Sequence, residues 1–298
     1  MSVPARPAPL FADIDDVARR LAETGYLPDT ATATAVFLAD RLGKPLLVEG
    51  PAGVGKTELA RAVAQATGSG LVRLQCYEGI DASQALYDWD FPRQVLHLRA
   101  LEAAGGADAV EAEKSLYDER FLLARPVLAA LQQAPAVLLV DEVDRADDEF
   151  EAFLLEVLST YQVSIPELGT VRAAEPPLVV LTSNRTRELH DALKRRCLYH
   201  WVDHPGLERE VEIVRTRLPE VSAALARQVV DVVQQLRGDT GLQKPPGVAE
   251  TLDWSQALHH LGCAELDLET AARTLGALVK YREDADRVKH ALDRLLTT

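Results

Sequence analysis

"LLVEGPAGVGKTELA", Leu46 to Ala60, runs from an apolar stretch through a glycine-rich turn into helix-forming residues. Within it "GPAGVGKT", Gly50 to Thr57, fits the pattern GxxxxGK[ST] in full, after a strand-like run and before a helix-like one. At average residue frequencies the four fixed positions would arise by chance in a chain this long on the order of 1% of the time. Glycines let the backbone curl so that successive N–H groups point at phosphate oxygens, and the helix that follows presents the positive end of its dipole. The stretch assigns Gly50, Pro51, Ala52, Gly53, Val54, Gly55, Lys56, Thr57 and Glu58 to nucleotide binding. Lys56 is expected to neutralise the β and γ phosphates of ATP, and the Thr57 hydroxyl to ligate Mg2+.

Working outward, "PLLVE" (Pro45 to Glu49) is apolar on both faces and reads as a buried parallel strand. Runs of the same type are Gly70 to Cys76, Ala136 to Glu142, Leu178 to Asn184 and Leu198 to Val202. Helical stretches separate most of them, which predicts βαβ units in a doubly wound α/β sheet. Thr30 to Gly43 reads as a helix closed by Gly43. Glu102 to Ser115 lacks an apolar period and is expected to be a flexible surface excursion.

The character changes after Pro205, where no strand-like run remains. Helices are expected at Leu207 to Leu218, Val248 to Leu261, Leu268 to Tyr281 and Asp284 to Leu296. A further one carries Leu225, Val229, Val232, Val233 and Leu236 on one face and is stopped by Gly238. The expected division is therefore a nucleotide-binding αβα domain over residues 1–205 and an all-helical domain over 206–298.

"AVLLVDE" delivers Asp141 and Glu142 from a buried strand, Asp141 to hold the magnesium shell and Glu142 to orient and polarise the attacking water. Asn184 ends another strand, where its amide either aligns that water or touches the γ-phosphate, or else serves as a turn former.

A formal charge of −14 and a pI near 5.0 disfavour broad binding to a phosphate backbone, so nucleic acid is the minor hypothesis. No run is long and apolar enough for a membrane span, and the first residues lack a secretory signal, so a cytoplasmic address is expected. Cys76, Cys197 and Cys263 lie far apart and read as reduced apolar fillers. His200 and His204 stand four apart on a segment that reads as strand and turn, which does not suit a metal.

The order of parts resembles the AAA+ ATPases, whose subunits usually close into hexameric rings with ATP between neighbours. Details are similar to the MoxR family: "GPAGVGKTELA", "VDEVDRADDEFEAFLLEVLS", the Arg125–Pro126 pair before a helix, and "LTSNRTREL". "LQCYEGIDASQALYDWDFPRQVL", "ALKRRCLYHWVDHP" and "KPPGVAETLDW" resemble its CoxD-like branch, the accessory ATPases of carbon monoxide dehydrogenase and molybdenum hydroxylase maturation.

The resemblance implies a P-loop AAA+ core, a five-stranded parallel sheet with helices on both faces, followed by a helical lid. It implies that Arg195 or Arg196, preferably Arg196, reaches the γ-phosphate held by an adjacent subunit. Arg145 then either couples Glu142 to a neighbour or makes a surface salt bridge. Where many relatives carry a sensor 2 arginine, Thr251 stands instead. "YQVSIPELGTVRAAEPPLVV" reads as a β-hairpin and resembles the insert of the helix-2-insert clade, aimed at the ring's pore or a client or lying on the surface without a partner. The function implied is ATP-driven remodelling of a metalloenzyme client with a von Willebrand factor A domain adaptor. A nucleic-acid motor or loader on the same fold is the alternative.

Overall fold

The computed structural model describes residues 8–103, 109–238 and 241–296. In chain order, α1 (Ile14–Glu23) and α2 (Thr30–Leu42) precede β1 (Leu46–Glu49), α3 (Lys56–Thr67) and β2 (Gly70–Gln75). An excursion follows: α4 (Ala82–Leu86), β3 (Tyr87–Trp89), α5 (Phe91–Ala103), α6 (Ala109–Leu116), β4 (Leu122–Ala124) and α7 (Pro126–Gln132). Next come β5 (Ala136–Asp141), α8 (Asp148–Thr160), β6 (Gln162–Ile165), β7 (Gly169–Arg172), β8 (Leu178–Ser183), α9 (Asp191–Arg196) and β9 (Leu198–Trp201). The remainder is helical: α10 (Leu207–Arg217), α11 (Ala223–Arg237), α12 (Val248–His260), α13 (Leu268–Arg273), α14 (Leu275–Leu278) and α15 (Arg282–Leu296). Contacts divide the chain into two compact units. Of the described residues, one holds those up to Arg20, Pro28–Glu49 and those from Ala60 to His200; the other holds Leu21–Leu27, Gly50–Leu59 and those from Trp201 onward.

The first unit is built on a five-stranded sheet of order β2-β5-β8-β1-β9. β1 pairs in parallel with β8 and β5 with both β8 and β2, in a register that sets Glu49 opposite Ser183 and Gln75 opposite Asp141. Every residue of β1, β5 and β8 is buried, as expected of strands covered on both faces. Each Val or Leu so buried contributes roughly 1.5–3 kcal/mol. β2 departs from the expected buried strand: it lies at the sheet edge, paired only with β5, and its outer positions are open, with Leu71 39% exposed.

Local signals explain where the helices begin and end. α2 starts at Asp29, whose carboxylate accepts from Thr32 N (2.6 Å), and ends at Gly43 in the left-handed region (φ 61°). α8 starts at Asp147, which accepts from Phe150 N (2.9 Å), and carries Asp148, Glu149 and Glu151 in its first turn. Pro126 opens α7, where its missing N–H costs nothing.

Between β2 and β8 the chain departs from the sequence expectations in two places. The excursion expected over Glu102–Ser115 contains α6 from Ala109, and its residues 104–108 lie outside the described ones. The β6–β7 hairpin forms as expected, Gln162 opposite Arg172, directly before β8. The crossover from β2 to β5 also carries an unexpected antiparallel β3–β4 pair, Trp89 opposite Leu122, with α5 and α6 between its strands. With three residues each, β3 and β4 are too short to carry a period, and an edge-on contact of Trp89 with Tyr117 (5.3 Å between rings) packs beside them.

In the helical unit, α10 to α15 enclose one apolar core around Trp254, which is fully buried. The single helix expected over Leu268–Tyr281 breaks at Thr274 into α13 and α14. Thr274 Oγ1 accepts the indole N–H of Trp254 (2.7 Å), the polar handle a buried Trp must satisfy, and donates to Thr270 O (2.8 Å). Gly238 does end α11, in a right-handed conformation (φ −72°) rather than a left-handed cap.

Candidate nucleotide site

The glycine-rich loop follows β1 and leads into α3, a helix of 12 residues that starts at Lys56. Gly53 has φ 78°, a region that disfavours L side chains. A Cβ at Gly53 would also lie 3.2 Å from Gly247 Cα, and one at Gly247 would lie 2.8 Å from Ala52 O. Two glycines therefore let the loop and the start of α12 touch backbone to backbone, and Ala249 N donates to Gly53 O (3.1 Å). Glu250 Oε2 accepts from Gly247 N (2.9 Å) and fixes that turn.

Lys56 is buried, and its Nζ donates to the carbonyls of Gly50 (2.8 Å) and Pro51 (2.6 Å). Glu58 pairs with Arg217 (2.7 Å), a partner that the sequence reading missed. Arg209 Nη2 donates to Leu27 O (2.7 Å), which ties the Leu21–Leu27 segment to α10 in the same unit.

Thr251, at the position where the resemblance places an arginine, is fully buried and donates to Glu210 Oε1 (2.7 Å). Arg237 grips both oxygens of that carboxylate, at 2.5 and 2.6 Å, and donates through Nε to Pro246 O (2.6 Å). A buried ion pair thus joins α10, α11 and the start of α12.

In the sheet unit, parallel strands bring the C-terminal ends of β1, β5 and β8 to one edge, where open α/β sheets bind ligands. Asp141 ends β5, its side chain 4% exposed. Its Oδ1 accepts the Thr182 hydroxyl (2.5 Å), and its Oδ2 accepts Arg73 Nη2 (2.6 Å) and Nε (3.1 Å).

Glu142 stands in the left-handed region (φ 55°, ψ 49°), unusual for a residue with a long side chain. Its N–H donates to Thr182 Oγ1 (2.9 Å), so one hydroxyl orders both carboxylate residues. Its carboxylate accepts from Asn184 Nδ2 (3.3 Å) and Gln75 Nε2 (3.0 Å), and pairs with Arg145 Nε (3.0 Å). The Asn184 loop is itself fixed. Asp144, 2% exposed, accepts from Asn184 N (3.2 Å), Thr186 N (2.8 Å) and the Thr186 hydroxyl (2.7 Å), all through Oδ2.

The structure therefore brings together Asp141, Glu142, Asn184 and Arg145, all singled out from the sequence. It adds Arg73, Gln75, Thr182 and Asp144, which were not. Arg195 and Arg196 are exposed at the end of α9, beside Lys194. Neither makes a side-chain hydrogen bond or ion pair to the described residues. Lys194 and Arg185 hold Glu188 down to about 2 through hydrogen bonds and charge.

Burial first, and the charges of Asp141, Asp144 and Glu142 second, push the Cys76 thiol up to about 12, which leaves it unreactive beside the site. Burial does the same to Cys197, and Cys263 is half-buried. His200 Nε2 meets Thr32 Oγ1 at 3.0 Å, and among the described residues no three of His, Cys, Asp and Glu form a metal cluster. No helix among the described residues is long and apolar enough to cross a membrane.

Known proteins share parts of this chain. It is similar to SH1500, an uncharacterized protein of Staphylococcus haemolyticus, with 24% identity over 69% of this chain and 72% of that protein. SERP0979 of Staphylococcus epidermidis, also uncharacterized, is 24% identical over 70% of this chain and 71% of its own. Among solved structures, the RuvB Holliday junction branch migration motor of Thermotoga maritima is similar at 16% identity, over 91% of this chain and 71% of that one, with a TM-score of 0.46. A point mutant of the same RuvB is similar at 17% identity, over 94% of this chain and 75% of that one, with a TM-score of 0.48. Residues 45–197, just over half of the 298-residue chain, match the AAA domain of the dynein-related subfamily. With its phosphate-loop pattern, five-stranded sheet and paired carboxylates, the chain belongs to the AAA domain family, in that dynein-related subfamily.

Proposed function

We propose that this chain is a Mg2+-dependent ATPase that converts ATP to ADP and phosphate and uses the cycle to remodel a protein client. The observation that carries the reading is Glu142: a carboxylate on left-handed backbone, one residue past a buried aspartate, tied through its amide to Thr182 and through its oxygens to Asn184. Such strained backbone persists where the surroundings over-determine it, and it clusters at functional sites.

In this reading Gly50 to Glu58 hold the triphosphate, and Lys56 neutralises its outer oxygens. Glu142 orients a water and accepts its proton as the water oxygen attacks the γ-phosphorus and the bond to the ADP oxygen breaks. Asn184 aligns the carboxylate and the water. Thr57 and Asp141 would hold Mg2+, which supplies neutralisation of charge on the β and γ oxygens. One hydroxyl and one carboxylate suit that ion, because substrate phosphates and water complete its shell.

The resemblance to AAA+ rings assigns Arg196, with Arg195 beside it, to the γ-phosphate of a neighbouring copy, and both are exposed without a partner among the described residues. The unit at work is then a homo-oligomeric ring, by resemblance a hexamer, in the cytoplasm. The MoxR-like and CoxD-like stretches point to a metalloenzyme client and a von Willebrand factor A domain adaptor.

Mixing tests the shared site: Glu142→Gln and Arg196→Ala chains, each inactive alone, recover phosphate release together if neighbours complete one another. No recovery overturns the trans arginine. A pull-down with Glu142→Gln in ATP is expected to hold the metalloenzyme and the adaptor, and capture of neither overturns the client assignment.

A further inference from the structure

β2 is the free edge of the sheet, and its parallel register sets Gln75 opposite Asp141, so that Arg73, two residues earlier, shares the face of that carboxylate. Arg73 uses this placement to put Nη2 at 2.6 Å and Nε at 3.1 Å from Asp141 Oδ2, while Thr182 holds Oδ1. The two partners are unequal in burial: Asp141 is 4% exposed and Arg73 45%. A carboxylate this buried is costly without a counter-charge, whereas a half-exposed guanidinium returns to water at little cost. The arrangement suits a cation that can leave.

We propose that Arg73 is a cationic place-holder on Asp141. It neutralises and orients the carboxylate before nucleotide arrives, and it yields Oδ2 when a divalent cation enters with ATP. The inference rests on the ATPase reading above and adds a regulator of metal loading to it. Arg73 also donates to Gln75 Oε1, and Gln75 Nε2 donates to Glu142 Oε2 (3.0 Å). Departure of the guanidinium therefore loosens the hold on Glu142 at the moment the metal is in place, which ties the readiness of the water-orienting carboxylate to metal occupancy.

The test reads metal binding without turnover. The full chain is saturated with AMP-PNP, and Mn2+ is titrated in while the free ion is followed by electron paramagnetic resonance. Arg73→Gln removes the competing charge and is expected to bind Mn2+ about five-fold more tightly than wild type, the worth of one partly exposed ion pair. Arg73→Lys keeps the charge and is expected to stay within about two-fold of wild type; it also serves if the Gln variant folds poorly. AMP-PNP affinity in the absence of metal is expected to be unchanged in both. Unchanged or weaker Mn2+ binding in Arg73→Gln, with AMP-PNP still bound, overturns the place-holder alone. A wild-type chain that holds no AMP-PNP overturns the phosphate-loop reading and this inference with it.

Discussion

Arg237→Ala removes a guanidinium that is 7% exposed from a Glu210 carboxylate that is fully buried. Glu210 keeps hydrogen bonds from Gln234 Nε2 (2.7 Å) and the Thr251 hydroxyl (2.7 Å), but its charge loses its counter-charge. Breaking a buried pair from one side costs about 3–5 kcal/mol. Urea unfolding followed by Trp254, the indole buried in this core, measures it in a background where Trp89 and Trp201 are replaced by Phe. With a slope of about 2 kcal/mol/M, the midpoint is expected to fall by about 1.5–2.5 M. Removing both charges, Arg237→Met with Glu210→Leu, is expected to recover most of the loss. Gln234 then still donates to Pro205 O (2.8 Å) and Thr251 to Gly247 O (3.0 Å), which leaves Pro246 O as the acceptor without its donor. Because the network fixes the start of α12 against the glycine-rich loop, Arg237→Ala is also expected to weaken ATP binding. A single-variant cost below about 1 kcal/mol, or a double variant less stable than the single, would show that Glu210 does not depend on Arg237 for its counter-charge.

Asp144→Ala releases the Asn184 loop, each bond to that charged acceptor being worth about 1.5–3 kcal/mol. It is expected to lower kcat for phosphate release about ten-fold or more with KM for ATP little changed, while Asp144→Asn keeps most activity; an unaltered kcat in the Ala variant removes Asp144 from the positioning network. Gly53→Val meets both a φ of 78° and the Gly247 backbone, and is expected to abolish ATP binding. Gly68→Ala, at φ 66° with open space around it, should cost only about 1–2 kcal/mol in thermal unfolding; equal effects of the two would contradict the close-approach argument. Burial holds His200 below the ordinary histidine value of 6.5, so the unfolded chain binds its proton at higher pH than the fold does. Its contribution is full above about pH 6.5 and is lost as acid takes the pH below that, so His200→Gln should flatten the fall in urea midpoint between about pH 7 and 5.

The sheet and the phosphate loop can be read directly from the chain because the information there is local. β1, β5 and β8 each open on a continuous apolar run, and Gly50 to Thr57 follows β1 without a break. Asp141, Glu142 and Asn184 are found by their position at strand ends. Arg73 and Gln75 on the edge strand β2 and Thr182 on the central strand β8 reach the site only through sheet register, which links residues tens of positions apart. Asp144 lies inside an acidic run that resembles an ordinary solvated helix start, yet it is buried. The break at Thr274 needs Trp254 as its cause, and the β3–β4 pair joins three-residue strands across a long excursion, so neither has a local signature.

Lys56 is proposed to bind the triphosphate and Glu142 to drive its cleavage, and single-turnover phosphate release measured beside equilibrium ATP binding separates the two roles. Wild type is expected to bind and release phosphate. Glu142→Gln should bind ATP as wild type does while cleaving it at least about 100-fold more slowly, and Lys56→Ala should fail at binding. Phosphate release by Glu142→Gln at the wild-type rate, or undiminished ATP binding by Lys56→Ala, would contradict the account.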